Sequence, residues 1–591
     1  MEKEKIVFSV GGEFIAREDC CLIQKTPIYD KNTHEVIGEN EEIQANFYPE
    51  LVDQTEYIGY NARTVYRFRF WQNGKSSEPI EYRTKDILGQ FPTQNAGAEY
   101  IIEPNRGATN AVRRCMQLQC SKAPKRIVYE KIGFSEVRGE RVFLNKGCSI
   151  TANGFTDEYT VAPPDSMQGY KFTSERHPER FNTLLELFPT IAPESFVFAS
   201  WAYMFLTPLN ALLREGIGEP CFILYVNGIT GSYKSTLTKI LMNAYGEFHY
   251  DTPAPANFRD TANSVLMKLA TADSMLFLLD DKIPNLSKYE AARVEQIEQG
   301  VLRAVGDKAA RGRLDSEMRE RKTPRPVCNV MITAEEAYSN VGESGIARSI
   351  AVTLTPPTKE RLANIYAMQD RAEHLNECMG DYIQFVLQHW EELQEELKPL
   401  FREYVLEANN NGHARIATAV AHLQIGIYTM CKWLESVEVI THEHTTKMLV
   451  KSWDIFTALA EEQSQRITEE TPVKLFLNAV KTMIQHGSIS VHEVDNGITL
   501  GNAIAFKDSN YYYFNPEQIF VKVKEFYAAQ GLNYPVSLKT LDSHLLNDKL
   551  EEPEINKSTG RVNPHKSKRI NGKQARYMWI YAKALEEKEE V

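Results

Sequence analysis

Long apolar segments, paired cysteines and net positive charge are all missing from this chain, and each absence removes a class of protein. No apolar run reaches bilayer length, and the opening MEKEKIVFSV lacks the apolar stretch of a signal peptide. A soluble, cytoplasmic protein with no membrane partner is the expectation. Cysteine is sparse: nine are scattered over 591 residues, and neither the adjacent Cys20-Cys21 nor Cys115 with Cys120 makes a C-x-x-C set for zinc. Reduced thiols in cores are the simpler reading. The formal net charge is −12, so any nucleic-acid surface must be local. The first 163 residues also lack a paired-carboxylate strand followed by histidine, which argues against primase chemistry there. What remains is a globular composition, long enough for three or more domains.

The chain is organised around Cys221–Tyr245, CFILYVNGITGSYKSTLTKILMNAY: an apolar run, a small-residue loop, then a helix-period pattern. Its spacing is that of G-x-x-x-x-G-K-[ST], from Gly228 to Lys234-Ser235. Backbone N–H groups along Gly228, Thr230, Gly231, Ser232, Tyr233 and Thr236 would face a triphosphate at a helix N-terminus. Lys234 would neutralise the β- and γ-phosphates of ATP, and Ser235 would ligate Mg²⁺. Tyr233 stands where the pattern has its second glycine, and tyrosine tolerates positive φ poorly. A chance turn between strand and helix is the plainer alternative.

A second apolar run, Met275–Lys282 (MLFLLDDK), matches a buried parallel strand that delivers carboxylates to the mouth of a sheet. Asp280 would hold Mg²⁺ opposite Ser235, and Asp281 would orient or deprotonate water. Alone, the pair reads better as a cap for a helix near Ser287, and its place behind an apolar strand downstream of Lys234 is what turns the reading toward the site. A third strand, Val327–Thr333, ends on Thr333, a γ-phosphate sensor or simply a strand end. Between these strands GDKAARGRLD carries Lys308, Arg311 and Arg313, which would touch nucleic-acid phosphates or stay hydrated. Arg348 precedes a further strand and is either an arginine finger for a neighbouring subunit or an ordinary strand-end arginine.

This order of motifs resembles the AAA+ replicative helicases of superfamily 3. It is similar above all to the MCM-like and prophage-type helicases of phages, plasmids and staphylococcal-type chromosomal cassettes. The resemblance spans roughly residues 128–356 and includes VYEKIGFSEVRGERVFLNKG ahead of the loop. It implies a homo-hexameric ring, ATP with Mg²⁺, 3′-to-5′ movement on single-stranded DNA, and the roles given above for Lys234, Ser235, Asp280, Asp281, Thr333 and Arg348. Two positions depart from the pattern: Tyr233 for glycine, and Asp281 where many relatives carry glutamate.

The expected fold is therefore multidomain α/β. A β-rich N-terminal collar or DNA-handling domain occupies 1–163, an AAA+ P-loop core with a parallel sheet 170–357, a helical lid 358–468 and a winged-helix-like module 472–591. Trp390, Met430 and Trp433 read as core, and His442 with His444 as a solvated turn. The C-terminal run Lys557, Arg561, Lys566, Lys568, Arg569, Lys573 and Arg576 contains no acid after Arg561 and leads into YMWIY. With Asn571-Gly572 as its turn it suits a basic hairpin on duplex DNA, or else a solvated loop. The function expected is an ATP-driven DNA helicase or translocase for a mobile element, with a separate primase or single-strand-binding protein as possible partner. The rivals are another P-loop enzyme and an ATP-switched initiator that binds DNA without unwinding it.

Overall fold

The computed structural model describes residues 5–59, 62–87, 96–282, 287–308, 325–335, 342–409, 413–494, 503–530 and 532–586. Its centre is a five-stranded sheet made of β1 (Ile223–Asn227), β2 (Ala256–Asn257), β3 (Leu276–Lys282), β4 (Asn329–Ala334) and β5 (Ser349–Thr353). Every pairing in it is parallel, and the order across the sheet is β5-β1-β4-β3-β2. Helices α1 (Lys234–Met242), α2 (Ala262–Thr271) and α3 (Lys288–Asp307) alternate with the strands. Runs such as ILYVN are buried throughout, as expected of strands covered on both faces. The register sets Val226 opposite both Thr333 and Val352, so the carboxyl ends of β1 and β4 finish level.

One apolar core extends from Ile132 to Ile467. The helix Ala414–Ser436 crosses Glu194–Leu206, and Trp433 packs against Phe181, Phe205 and Tyr382. Trp390 meets Phe134 edge to face. The expected lid, 358–468, is therefore built into the same core as the sheet rather than laid over it. The expected boundary at residue 163 moves as well. The meander Ile132–Val137, Glu140–Leu144, Ser149–Thr151 and Gly154–Thr156 extends the central unit through parallel pairing of Ile132-Gly133 with Ala272-Asp273. Gly133 is required there, since a Cβ would lie 1.5 Å from the Asp273 carbonyl oxygen.

Composition needs one correction. The helical stretch Glu194–Gly216 is long and apolar enough to cross a bilayer. Its apolar middle lies wholly inside the protein while its charged ends reach the surface, and being apolar all round is what such a position demands.

Two smaller units flank the centre. The N-terminal one joins a four-stranded antiparallel sheet (residues 8–45) to a second sheet led by Tyr48–Ile58 and Arg63–Gln72. Helix Ala108–Lys122 turns Val112, Cys115 and Met116 onto that core. The C-terminal unit has its own core, with helices Pro472–Gln485, Pro516–Ala529 and Leu538–Asn547 against a five-stranded sheet. Its hairpin, Lys566–Ile570 with Lys573–Tyr581, turns at Asn571-Gly572, where φ is 48° and 82°. Two consecutive positive φ values are the signature of the type I′ turn that Asn-Gly favours. His442 and His444 open the helix His442–Glu469, where His442 faces Glu435 and the His444 N–H is capped by Thr441.

The helix crossing carries a test of the shared core. A Cβ on Gly426 would sit 2.2 Å from the Ala202 carbonyl oxygen. Gly426→Ala should cost about 2 kcal/mol or more of stability, measured by urea unfolding. A neutral substitution would mean the helices pack more loosely than described.

Candidate functional site

The loop between β1 and α1 is shaped by three residues. Gly228 passes so close to the next segment that a Cβ would meet the Leu354 carbonyl oxygen at 2.4 Å. Gly231 has φ +88°, and Tyr233 adopts the left-handed conformation at φ 59°, ψ 27° as the N-cap of α1. A non-glycine residue pays on the order of 1 kcal/mol for that conformation. Tyr233 persists in it because its side chain packs on the central core. The loop thus keeps a left-handed residue before Lys234 without using glycine.

Lys234 Nζ donates to the Gly228 and Ile229 carbonyl oxygens at 2.6 and 3.2 Å, spanning the loop's own mouth. Burial lowers its pKa despite the opposing pull of Glu335, Asp281 and Asp280. Ser235 Oγ donates to Asp280 Oδ1 at 2.8 Å, and Thr333 Oγ1 donates to the same oxygen at 2.5 Å. Thr333 Oγ1 in turn accepts from the Asp281 N–H at 2.9 Å. Four residues on three chain segments therefore meet at one carboxylate oxygen and one hydroxyl.

A bulge in β3 makes this possible. Leu279 pairs with Ile332 and Lys282 with Ala334, so β3 spends one residue more than β4. Asp281 takes the surplus with φ 68°. The bulge sends Asp280 toward Ser235 and Thr333, leaves Asp281 at the surface and turns Lys282 inward. There Lys282 Nζ meets Glu298 Oε1 at 2.8 Å, an oxygen that also accepts from the Tyr225 hydroxyl. Burial and then the charge of Asp280 raise the Asp281 carboxyl above its ordinary value, against Arg259 and Lys234.

Glu335, just past β4, accepts a hydrogen bond from Thr230 and adds a third acid to the mouth. Neither Glu335 nor Arg259 carried a role in the sequence reading. The position of Glu335 directly after a polar-ended strand was the available signal, whereas nothing local marks Arg259. Thr236 and Ser235 open onto a cleft with Lys239, Tyr250 and Gln369.

Other expected residues lie elsewhere. Arg348 sits at the amino end of the sheet, its carbonyl accepting from Ile223 N–H at 2.9 Å. That is the length of β1, roughly 15 Å, from its own loop. Its buried guanidinium is tied to Asp307 Oδ1 at 2.8 Å and to the Ser344 carbonyl at 2.6 Å, which matches the strand-end alternative and leaves the guanidinium engaged within its own chain. Lys308 follows α3 with its Nζ buried 3.3 Å from Glu219, so its charge is paired within the chain rather than hydrated. Arg311 and Arg313 lie outside the described residues.

The C-terminal hairpin divides its cations between two faces. Lys566 pairs across to Tyr577 and Lys568 to Ala575, on the side where Trp579 and Tyr513 lie. Lys568 donates to Asp508 at 3.1 Å and to the Tyr513 hydroxyl at 2.6 Å, and Lys566 faces Glu552 at 3.4 Å. These two are structural cations. Ser567 pairs with Arg576 and Arg569 with Gln574 on the opposite side, where both arginines are exposed, as is Lys573 at the tip. Arg576 also reaches Glu554 at 3.2 Å.

No protein-family profile and no curated protein matches the sequence. Among solved structures the chain is similar to the active helicase Cch of SCCmec type IV, at 11% identity and TM-score 0.56. The match covers 97% of this chain and 98% of that one, so the fold is shared from end to end. Remoter likenesses reach a ligand-bound JCV helicase (12% identity, 47% of this chain and 66% of that one, TM-score 0.22) and the apo C-terminal region of NrS-1 (10%, 90% and 96%, 0.26). Scores so low carry no weight.

Proposed function

We propose that the chain is an ATP-hydrolysing DNA helicase or translocase of the AAA+ superfamily 3 type, working as a homo-hexameric ring in the replication of a mobile genetic element. The observation that carries this reading is the convergence of Ser235 and Thr333 on Asp280 at the carboxyl edge of a parallel sheet, with Lys234 across the mouth. The strand order 5-1-4-3-2 and the end-to-end fold likeness support it.

In this reading Lys234 and the first amides of α1 hold the β- and γ-phosphates of ATP, and the cleft beside Thr236 and Tyr250 takes the nucleoside. The residues present suit Mg²⁺: Asp280, Asp281 and Glu335 gather at one mouth beside the Ser235 hydroxyl, and a dication offsets that charge. Ser235 and Asp280 would hold it, and it would supply neutralisation of phosphate charge. Asp281 takes the proton of the attacking water as the oxygen bonds to the γ-phosphorus and ADP leaves. Thr333 fixes Asp280 and the Asp281 backbone relative to each other. Arg348 serves a neighbour's nucleotide only by exchanging Asp307 and Ser344 for phosphate. Arg569, Lys573 and Arg576 contact duplex phosphates as the exposed face of a winged helix, and Arg311 and Arg313 belong to the insert that follows a single strand. A second reading, the ATP-switched initiator, draws on Asp281, whose short side chain stands at the surface on the bulge.

The deciding measurement is steady-state ATP hydrolysis with and without single-stranded DNA, using Lys234→Ala as the blank. Stimulation by DNA is expected; tight ATP binding with no turnover would favour the switch. Asp281→Asn should keep ATP binding and lower kcat by about 10²-fold or more. In the free protein the Asp281 carboxyl titrates above its ordinary value, so its base form is lost early on acidification and kcat/KM, which reports the free enzyme, should fall on an acid limb above the usual carboxylate range. An acid limb at the ordinary carboxylate value would remove Asp281 as the base. Arg569→Ala with Arg576→Ala should weaken duplex binding and lower the slope of log K against log salt by roughly 2. An unchanged slope would take the hairpin off the DNA.

A further inference from the structure

Three polar side chains in the C-terminal unit point at one another and have no part in the nucleotide site. Asp542 lies on the buried face of helix Leu538–Asn547. Glu551 belongs to the segment bridged antiparallel to Ile580, and His565 stands at the foot of the hairpin strand Lys566–Ile570. One ligand atom from each lies within 4.8 Å of the other two, and His565 Nε2 is 3.2 Å from Asp542 Oδ1.

Glu551 is the informative member. Only 2% of it is exposed, and neither carboxylate oxygen has a hydrogen-bond partner. Asp542 is 6% exposed. The neighbouring bases are engaged with other acids, Lys566 with Glu552 and Arg576 with Glu554. Two carboxylates and an imidazole thus share a largely buried site in which, among the described residues, no lysine or arginine offsets them. A carboxylate buried with both oxygens unpartnered, beside a second buried acid, calls for either a proton or a cation. One imidazole nitrogen with two carboxylate oxygens is an ordinary donor set for Zn²⁺, a water completing the tetrahedron.

We propose that Asp542, Glu551 and His565 form a divalent transition-metal site, suited to Zn²⁺, that fastens the helix Leu538–Asn547 to the foot of the C-terminal hairpin. The site joins that helix to the hairpin that carries the exposed Arg569, Lys573 and Arg576. It is independent of ATP binding, and so is its test.

The full chain is stripped with a chelator and titrated with Co²⁺ and then Zn²⁺ in excess Mg²⁺. One equivalent should bind, giving visible ligand-field bands without the near-ultraviolet thiolate band that a cysteine site produces, and Zn²⁺ should displace it and raise the melting temperature. Glu551→Gln, nearly isosteric, and His565→Gln should each lower Zn²⁺ affinity by at least about 100-fold, more than loss of an outer-sphere partner causes. Absence of the cobalt bands, a thiolate band in their place, or unchanged affinity in folded Glu551→Gln would overturn the proposal. So would a metal-free Glu551→Gln that melts higher than a wild type indifferent to Zn²⁺, since the carboxyl would then simply hold a proton. If His565→Gln does not fold, Glu551→Gln decides alone.

Discussion

A single oxygen, Asp280 Oδ1, is where the central unit is drawn together. It accepts from Ser235 at the start of α1 and from Thr333 near the end of β4 while belonging to β3. Three segments far apart in sequence are thereby held at one edge of the sheet. The arrangement depends on the extra residue at Asp281. An unbroken β3 would send alternate side chains to opposite faces and carry the pair past Ser235. The bulge is what brings Asp280 onto Ser235 and Thr333 while Asp281 turns to the surface.

Inequality between adjacent like residues recurs at the C-terminal hairpin. Lys568 lies over the Tyr513 ring, 3.8 Å from its centroid, while Arg569 is exposed on the other side. Period-two alternation makes one of these cations structural and leaves the other available. A basic run counted as a unit overstates the charge it offers outward.

Much of the central site could be read from the chain because it obeys short-range rules. Lys234, Ser235, Asp280 and Thr333 each end an apolar run or open a helix, and a parallel sheet gathers such ends on one edge. Residues whose meaning depends on a distant partner could not be read that way. Arg348 is decided by Asp307 and Ser344, and Lys308 by Glu219. Composition does not show which cation a buried acid will claim. Asp542, Glu551 and His565 are separated by turns and strands and follow no ligand spacing. That the expected lid shares the sheet's core was hidden for a related reason: the helices past residue 358 have ordinary amphipathic patterns, which do not reveal that their partner is the sheet's own covering helix. The β-rich start, the parallel sheet and the Asn571-Gly572 turn were legible, since alternation, apolar runs and turn chemistry are local.

The shared core also has a consequence for biosynthesis. Helix Glu194–Leu206 is covered by Ala414–Ser436, with Gly426 against Ala202. A ribosome adding about 5–20 residues per second must make more than 200 further residues before that cover exists, so the apolar helix waits for roughly 10–50 s. During that interval the nascent chain displays a segment with the length and hydropathy of a membrane span. What keeps it out of a bilayer or an aggregate in that time is whatever binds it on the way out of the ribosome, because its native partner has not yet been translated.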